Sequence, residues 1–218
     1  MNPKPTFSAF LFDFDYTLAD SSQGILECAN FALAGLGLPA ARAEAVYATI
    51  GKSLPDTLAA LAGQEHTART PEFVRLFVQR ADEVMVDRTV LYESTAATLH
   101  TLKAHGKKLG IVSTKYRYRI VDTLQREKLD TLPDVIVGGE DVQRHKPDPQ
   151  GLYLALERLG NLPSEVLYIG DSLVDAETAQ RAGVAFAAVL TGATRRSDFE
   201  QYPCVAVVES LASLESFL

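Results

Sequence analysis

The sequence predicts an α/β chain, a parallel-sheet core interrupted early by a helical insertion. Three observations lead there. The run Phe7-Ser8-Ala9-Phe10-Leu11-Phe12 is almost wholly apolar and stops at Asp13-Phe14-Asp15. Residues 21 to 88 keep helical spacing throughout. Beyond Tyr92, short apolar runs alternate with longer amphipathic ones. A strand covered on both faces reads as a continuous apolar run, and strict alternation of strand and helix means parallel pairing.

In order along the chain, the first strand covers 7 to 12. The insertion breaks at 35–39, 51–55 and 63–71, where Gly and Pro cluster, which makes about four helices. The pattern then predicts helix 94–105, strand 108–113, helix 116–129, strand 134–138, helix 149–159, strand 165–170 and helix 173–182. Strands at 185–190 and 205–208 and a last helix at 211–218 complete it. The core is therefore expected to comprise residues 1–19 and 89–218, with 20–88 as the insertion over the first strand's end.

Composition narrows the partners. At 218 residues and 47% hydrophobic content the chain supports one α/β core plus a modest module. A net charge of -7 argues against a nucleic-acid surface, whose phosphates would be repelled, and points to a small partner. Cys28 and Cys204 stand far apart in apolar surroundings, so they read as packing residues in a reducing compartment. The N-terminal apolar run is too short for a membrane or signal segment and has no basic flank beyond Lys4. The expectation is a cytoplasmic monomer or homodimer with no membrane partner.

The chemistry sits where strands end. Asp13 and Asp15 follow the first strand; Val166-Leu167-Tyr168-Ile169-Gly170 leads to Asp171 and Asp175. If these strands are neighbours, four carboxylates share one cleft, an arrangement that needs a hard cation with oxygen ligands, magnesium first. Leu109-Gly110-Ile111-Val112 ends in Ser113-Thr114-Lys115, and Lys146 stands isolated before Pro147-Asp148-Pro149. A hydroxyl and an ammonium suit phosphate. Taken together the set fits phosphoryl transfer through an aspartyl phosphate.

On these motifs the chain resembles the haloacid dehalogenase-like hydrolase superfamily, phosphatase branch, across essentially its whole length. The resemblance implies a Rossmann-like parallel sheet with an α-helical cap. It makes Asp13 the nucleophile and Asp15 the group that protonates the leaving oxygen and then activates water. It assigns magnesium to Asp13, the Asp15 carbonyl and Asp171, with Asp175 behind them, and the phosphoryl group to Ser113, Thr114 and Lys146. Tyr16, Gly51, Lys52 and Arg117 are candidates for contact with the rest of the substrate. The substrate class is a small phosphorylated metabolite such as phosphoglycolate, with inorganic pyrophosphate hydrolysis or a β-phosphoglucomutase-like reaction as alternatives that the core motifs do not rank. Two positions depart from the commonest pattern: Tyr16 stands where glycine is usual, and Thr114 where asparagine often follows the hydroxyl residue.

Other readings are weaker. Asp15 or Asp171 alone reads equally as a helix cap, and Asp148 as the cap of a helix with Pro149 in its first turn. Capping does not explain four such sites beyond four strand ends. Gly51-Lys52-Ser53 lacks the earlier glycine of a P-loop, since Val46 holds that position. Ser172 in Gly170-Asp171-Ser172-Leu173 looks like an esterase nucleophile, but no histidine follows His145. A non-enzymatic receiver switch would carry its acceptor Asp on the third strand and would have no helical insertion.

Overall fold

In the computed structural model, which describes residues 6–217, the chain divides into two compact units, with the crossings at Ala19/Asp20 and Val90/Leu91. Residues 1 to 5, with Lys4, and Leu218, the expected end of the last helix, lie outside the described residues. The elements in order are β1 (Ala9–Phe12), β2 (Ala19–Asp20), α1 (Ser22–Gly35), α2 (Ala43–Tyr47), α3 (Leu54–Ala62), α4 (Thr70–Val84), β3 (Val90–Leu91), α5 (Glu93–Ala104), β4 (Lys108–Val112) and α6 (Arg117–Arg126). There follow β5 (Val135–Val137), α7 (Gln150–Leu159), β6 (Val166–Gly170), α8 (Leu173–Ala182), β7 (Ala185–Val189) and β8 (Cys204–Val208).

The core unit is built on a six-stranded sheet of order β5-β4-β1-β6-β7-β8, parallel at every pairing. The chain goes from β1 outward through β4 to β5, then returns to β6 on the opposite side of β1. Strand order thus reverses at β1, the place where open parallel sheets hold ligands. Phe12 pairs with Ile111 on one side and with Ile169 on the other. That register brings Asp13, Ser113 and Asp171 to one edge, each within two residues of a shared row.

Side-chain alternation makes two cores from one sheet. Phe10, Phe12, Leu109, Ile111, Leu167 and Ile169 face α5 and α6, where Leu99, Leu102, Ile120 and Leu124 are buried against them. Ala9, Leu11, Val112, Val166 and Tyr168 face α7 and α8, meeting Leu152, Leu156, Ala176 and Ala179. The expected last helix is a 3-10 helix, Leu211–Phe217. Leu211, Leu214 and Phe217 recur every third residue and are all buried, so the three-residue period sets the helix type.

The inserted unit carries its own core, in which Cys28, Ala29 and Leu33 of α1 pack with Val46, Leu58, Phe73, Phe77 and Ala81. The spacing of Phe73, Phe77 and Ala81 places them one turn apart on one face of α4. Pro55 and Pro71, read as breaks from sequence, instead lie in the first turns of α3 and α4, where the missing N–H costs nothing. The cap of α7 also moves: Pro149 holds the N-cap position, and Asp148 Oδ1 accepts from the Gln150 N–H at 3.0 Å. Cys28 and Cys204 are both free thiols.

Gly110 reports on how tightly the sheet is filled. It pairs with Leu11 on one side and Val135 on the other. A Cβ there would come 2.5 Å from Leu11 Cδ2 and 2.6 Å from Val135 Cγ1, so the two neighbours occupy the space a side chain would need. Gly110→Ala is expected to destabilise the protein by about 1–3 kcal/mol through overpacking, measured as a lowered urea midpoint at unchanged slope.

Candidate active site

Beyond the carboxyl ends of β1 and β6 the apolar pattern stops and buried charge begins. The ladder continues one step past β1, since the Asp13 N–H donates to the Ile169 carbonyl at 2.8 Å. The Ser113 N–H likewise donates to the Val137 carbonyl at 3.0 Å. Asp13 and Ser113 are thereby fixed by sheet hydrogen bonds although neither belongs to a strand.

Lys146 is the centre of the cluster. Its Nζ lies 3.0 Å from Asp13 Oδ2 and 2.6 Å from Asp175 Oδ1, and it donates to the Tyr168 hydroxyl at 3.2 Å. The three N–H bonds of the ammonium are therefore all used. Asp175 is fully engaged as well. Oδ1 also accepts from Tyr168 at 2.8 Å, and Oδ2 accepts from the Ser172 N–H at 3.2 Å and the Ser172 hydroxyl at 2.6 Å. Ser172 is the N-cap of α8 and Asp175 its reciprocal partner, so a capping box doubles as the anchor of the site. Neither Asp15 nor Asp171 caps a helix; Ser21 and Ser172 hold those positions.

Asp13, Asp171 and Asp175 are buried and each brings a carboxylate oxygen within 4.8 Å of the others. Asp13 Oδ1 accepts from the Phe14 N–H at 2.7 Å, and Asp171 Oδ1 from the Thr17 hydroxyl at 3.2 Å. Burial pushes the Asp13 carboxyl up; Lys146 opposes this, Asp175 and Asp15 add to it, and the value reaches about 6 from the ordinary 3.8. Asp171 is held well above the ordinary range by burial, then by Asp175 and Asp13. Burial pulls the Lys146 ammonium down, but Asp13 and Asp175 outweigh it and hold it above its usual range. Tyr168 is raised by burial and by Asp175 and Asp13, so its hydroxyl stays a donor. Buried acids raised by desolvation and by one another are a donor set that fits a hard divalent cation. The hydrogen-bond count leaves Asp13 and Asp171 able to serve it, with Asp175 saturated behind them.

The remaining expected residues fall into two groups. Asp15 is buried and pairs with Lys115 at 2.9 Å, and the Lys115 N–H donates to Ser113 Oγ at 3.3 Å. Thr114 is half-buried beside them. Tyr16 has φ of +60°, a left-handed conformation that is strained for a bulky side chain. It is held from both ends, its N–H donating to the Ala19 carbonyl at 2.7 Å and its carbonyl accepting from the Thr191 hydroxyl. Glycine would adopt that conformation without the steric cost. Arg117 is drawn off to Asp141, 3.1 Å away, at the start of α6. Gly51 and Lys52 lie in the inserted unit, on the turn between α2 and α3, with Lys52 exposed and Ser53 capping α3.

Four contributors escaped the sequence reading. Tyr168 was legible in principle, since a tyrosine inside a Val-Leu-Ile strand needs a partner for its hydroxyl. Lys115 stands two residues past Ser113, in the bend where its N–H turns back to the Ser113 hydroxyl. Thr191 and Gly192 gave no signal. A Cβ at Gly192 would lie 1.9 Å from Asp171 Oδ2, so the loop after β7 closes directly on that carboxylate.

A model of the haloacid dehalogenase-like hydrolase family matches residues 10–189. The chain belongs to that family. It is 33% identical over 204 residues to the phosphoglycolate phosphatase of Escherichia coli strain K12, covering 84% of this chain and 81% of the relative. The phosphoglycolate phosphatase of Yersinia pestis is 36% identical over 176 residues, 79% of this chain and 76% of that one. A haloacid dehalogenase-like hydrolase from Bacteroides fragilis superposes with a TM-score of 0.93 at 44% identity, covering 96% of this chain and 100% of its own. This member of the hydrolase family is an enzyme of the phosphatase type. Among the described residues no helix is long and apolar enough to cross a membrane.

The raised Asp13 carboxyl has a measurable consequence in metal-free protein. A folded-state value of about 6 against the ordinary 3.8 means that the stabilisation from this group is complete below about pH 4 and lost as pH rises through 6. Asp13→Asn removes that dependence. In chelator, the stability of Asp13→Asn relative to the parent should rise by on the order of 3 kcal/mol between pH 4 and pH 7.5, read from urea unfolding at each pH.

Proposed function

We propose that this protein hydrolyses a small phosphate monoester of the phosphoglycolate class, with magnesium, through an aspartyl-phosphate intermediate. The observation that carries the proposal is the Lys146 bridge between Asp13 and Asp175, set beside Ser113 at the point where strand order reverses. The relatives named phosphoglycolate phosphatase support the substrate class.

In this reading Asp13 attacks phosphorus. Its Oδ1 is tethered by the Phe14 N–H and its Oδ2 by Lys146, which fixes the carboxylate plane toward the incoming group. Lys146 screens the charge of nucleophile and phosphoryl group together, and Ser113 and Thr114 offer hydroxyls to the phosphoryl oxygens. Asp15 gives a proton to the leaving oxygen, then takes one from the water that attacks the phosphoaspartate. Asp13, Asp171 and the Asp15 carbonyl would hold magnesium, which supplies positive charge that lets the acids ionise and a dianionic phosphate approach. Asp175 and Tyr168 hold Lys146 in place. The inserted unit acts as a cap in this proposal, with Tyr16, Gly51 and Lys52 the candidates for meeting the rest of the substrate. Arg117 is a weaker candidate because Asp141 already engages it.

Hydrolysis of phosphoglycolate, and more slowly of an aryl phosphate, should require magnesium and stop in chelator; activity undiminished by chelation refutes the metal role. Asp13→Asn should abolish turnover, by at least a thousandfold, while leaving the fold intact by circular dichroism. Asp15→Asn should accumulate phosphoenzyme with an aryl phosphate, seen as a burst of phenol without matching phosphate release.

A further inference from the structure

Lys115 is a buried cation that the mechanism above does not use. It stands three residues past β4, is 8% exposed, and its Nζ lies 2.9 Å from Asp15 Oδ1. The Phe14 ring is its other neighbour of note, with its centroid 5.8 Å from Nζ. Among the described residues Asp15 is its ion-pair partner, and an ammonium has three N–H bonds to satisfy. An ammonium can serve more than one acceptor, so Nζ can hold a second one beside Asp15.

The position of Asp15 says which acceptor. On the phosphatase reading, Asp15 meets the oxygen that bridges phosphorus to the leaving group. A cation 2.9 Å from Asp15 therefore stands at the leaving-group end of the site, whereas Lys146, held by Asp13 and Asp175, stands at the phosphoryl end.

We propose that Lys115 is a specificity-determining residue whose remaining N–H groups hold an anionic oxygen carried by the leaving group. The preferred substrates are then phosphate compounds whose leaving group bears its own negative charge a few atoms from the bridging oxygen. A short hydroxy-acid ester offers a carboxylate there, and pyrophosphate offers a second phosphate. The inference rests on the phosphatase reading and adds to it a residue of the core unit that selects the substrate.

The test compares kcat/KM at fixed magnesium for phosphoglycolate, its uncharged analogue phosphoglycolamide, pyrophosphate and phenyl phosphate. The parent should prefer phosphoglycolate over phosphoglycolamide, or pyrophosphate over phenyl phosphate, by roughly tenfold or more. Lys115→Met should erase that preference, costing the anionic substrate roughly tenfold more than its neutral counterpart, and Lys115→Arg should keep a larger part of it. Loss confined to phosphoglycolate identifies the carboxylate; loss confined to pyrophosphate identifies the second phosphate. An equal fall on charged and uncharged substrates overturns the inference and leaves Lys115 as a residue that only positions Asp15. A parent that shows no preference in either pair overturns it without any variant, which covers the case of a Lys115→Met protein that does not fold. If the parent hydrolyses none of the four compounds, the phosphatase reading itself falls.

Discussion

Buried charge is the constraint around which the rest of this structure is arranged. Asp13, Asp15, Asp171 and Asp175 are all nine-tenths buried or more, against Lys115 and Lys146. Four carboxylates and two ammonium groups leave a formal excess of two negative charges, the charge of one divalent cation. Burial and mutual repulsion raise the Asp13 and Asp171 carboxyls, and a counter-ion or protonation would relieve that excess. Lys146 lessens it by spending all three donors, and Asp175 pins Lys146 by spending every acceptor. What remains to serve a cation is the pair Asp13 and Asp171.

Such a cluster keeps its geometry only on a stiff support. The sheet supplies it, because β1 is flanked by parallel neighbours on both sides and covered by helices on both faces. Backbone hydrogen bonds extend past the strands to hold Asp13 and Ser113, while the capping box of α8 fixes Asp175. The loop after β7 closes the arrangement, with Gly192 against Asp171 and Thr191 on the strained Tyr16 backbone. Strain at a residue adjoining Asp15 persists because the surrounding hydrogen bonds over-determine it.

The inserted unit has a separate apolar core and shares none of the buried acids. The buried charge and the helical insertion are thus encoded in different parts of the chain.

Much of this was readable from the sequence. Apolar runs and their alternation determined the parallel sheet, because a strand buried on both faces has no room for polar residues. The position of Asp13, Asp15, Ser113 and Asp171 just beyond such runs, with Lys146 isolated before Pro147, determined that charge would gather at one sheet edge. Lys146 and Asp175 lie 29 residues apart, and Thr17 and Asp171 lie 154 apart, so only the fold could pair them. Tyr168 and Lys115 gain their meaning from the loop residues the fold brings beside them, Lys146 and Asp15, and Gly192 from a carboxylate that a Cβ would strike. Local pattern fixes which face of its own strand or helix a residue takes. Partners across strands, and hence which acids share a proton donor and which are left for a cation, are decided by register and by the order in which the strands pack.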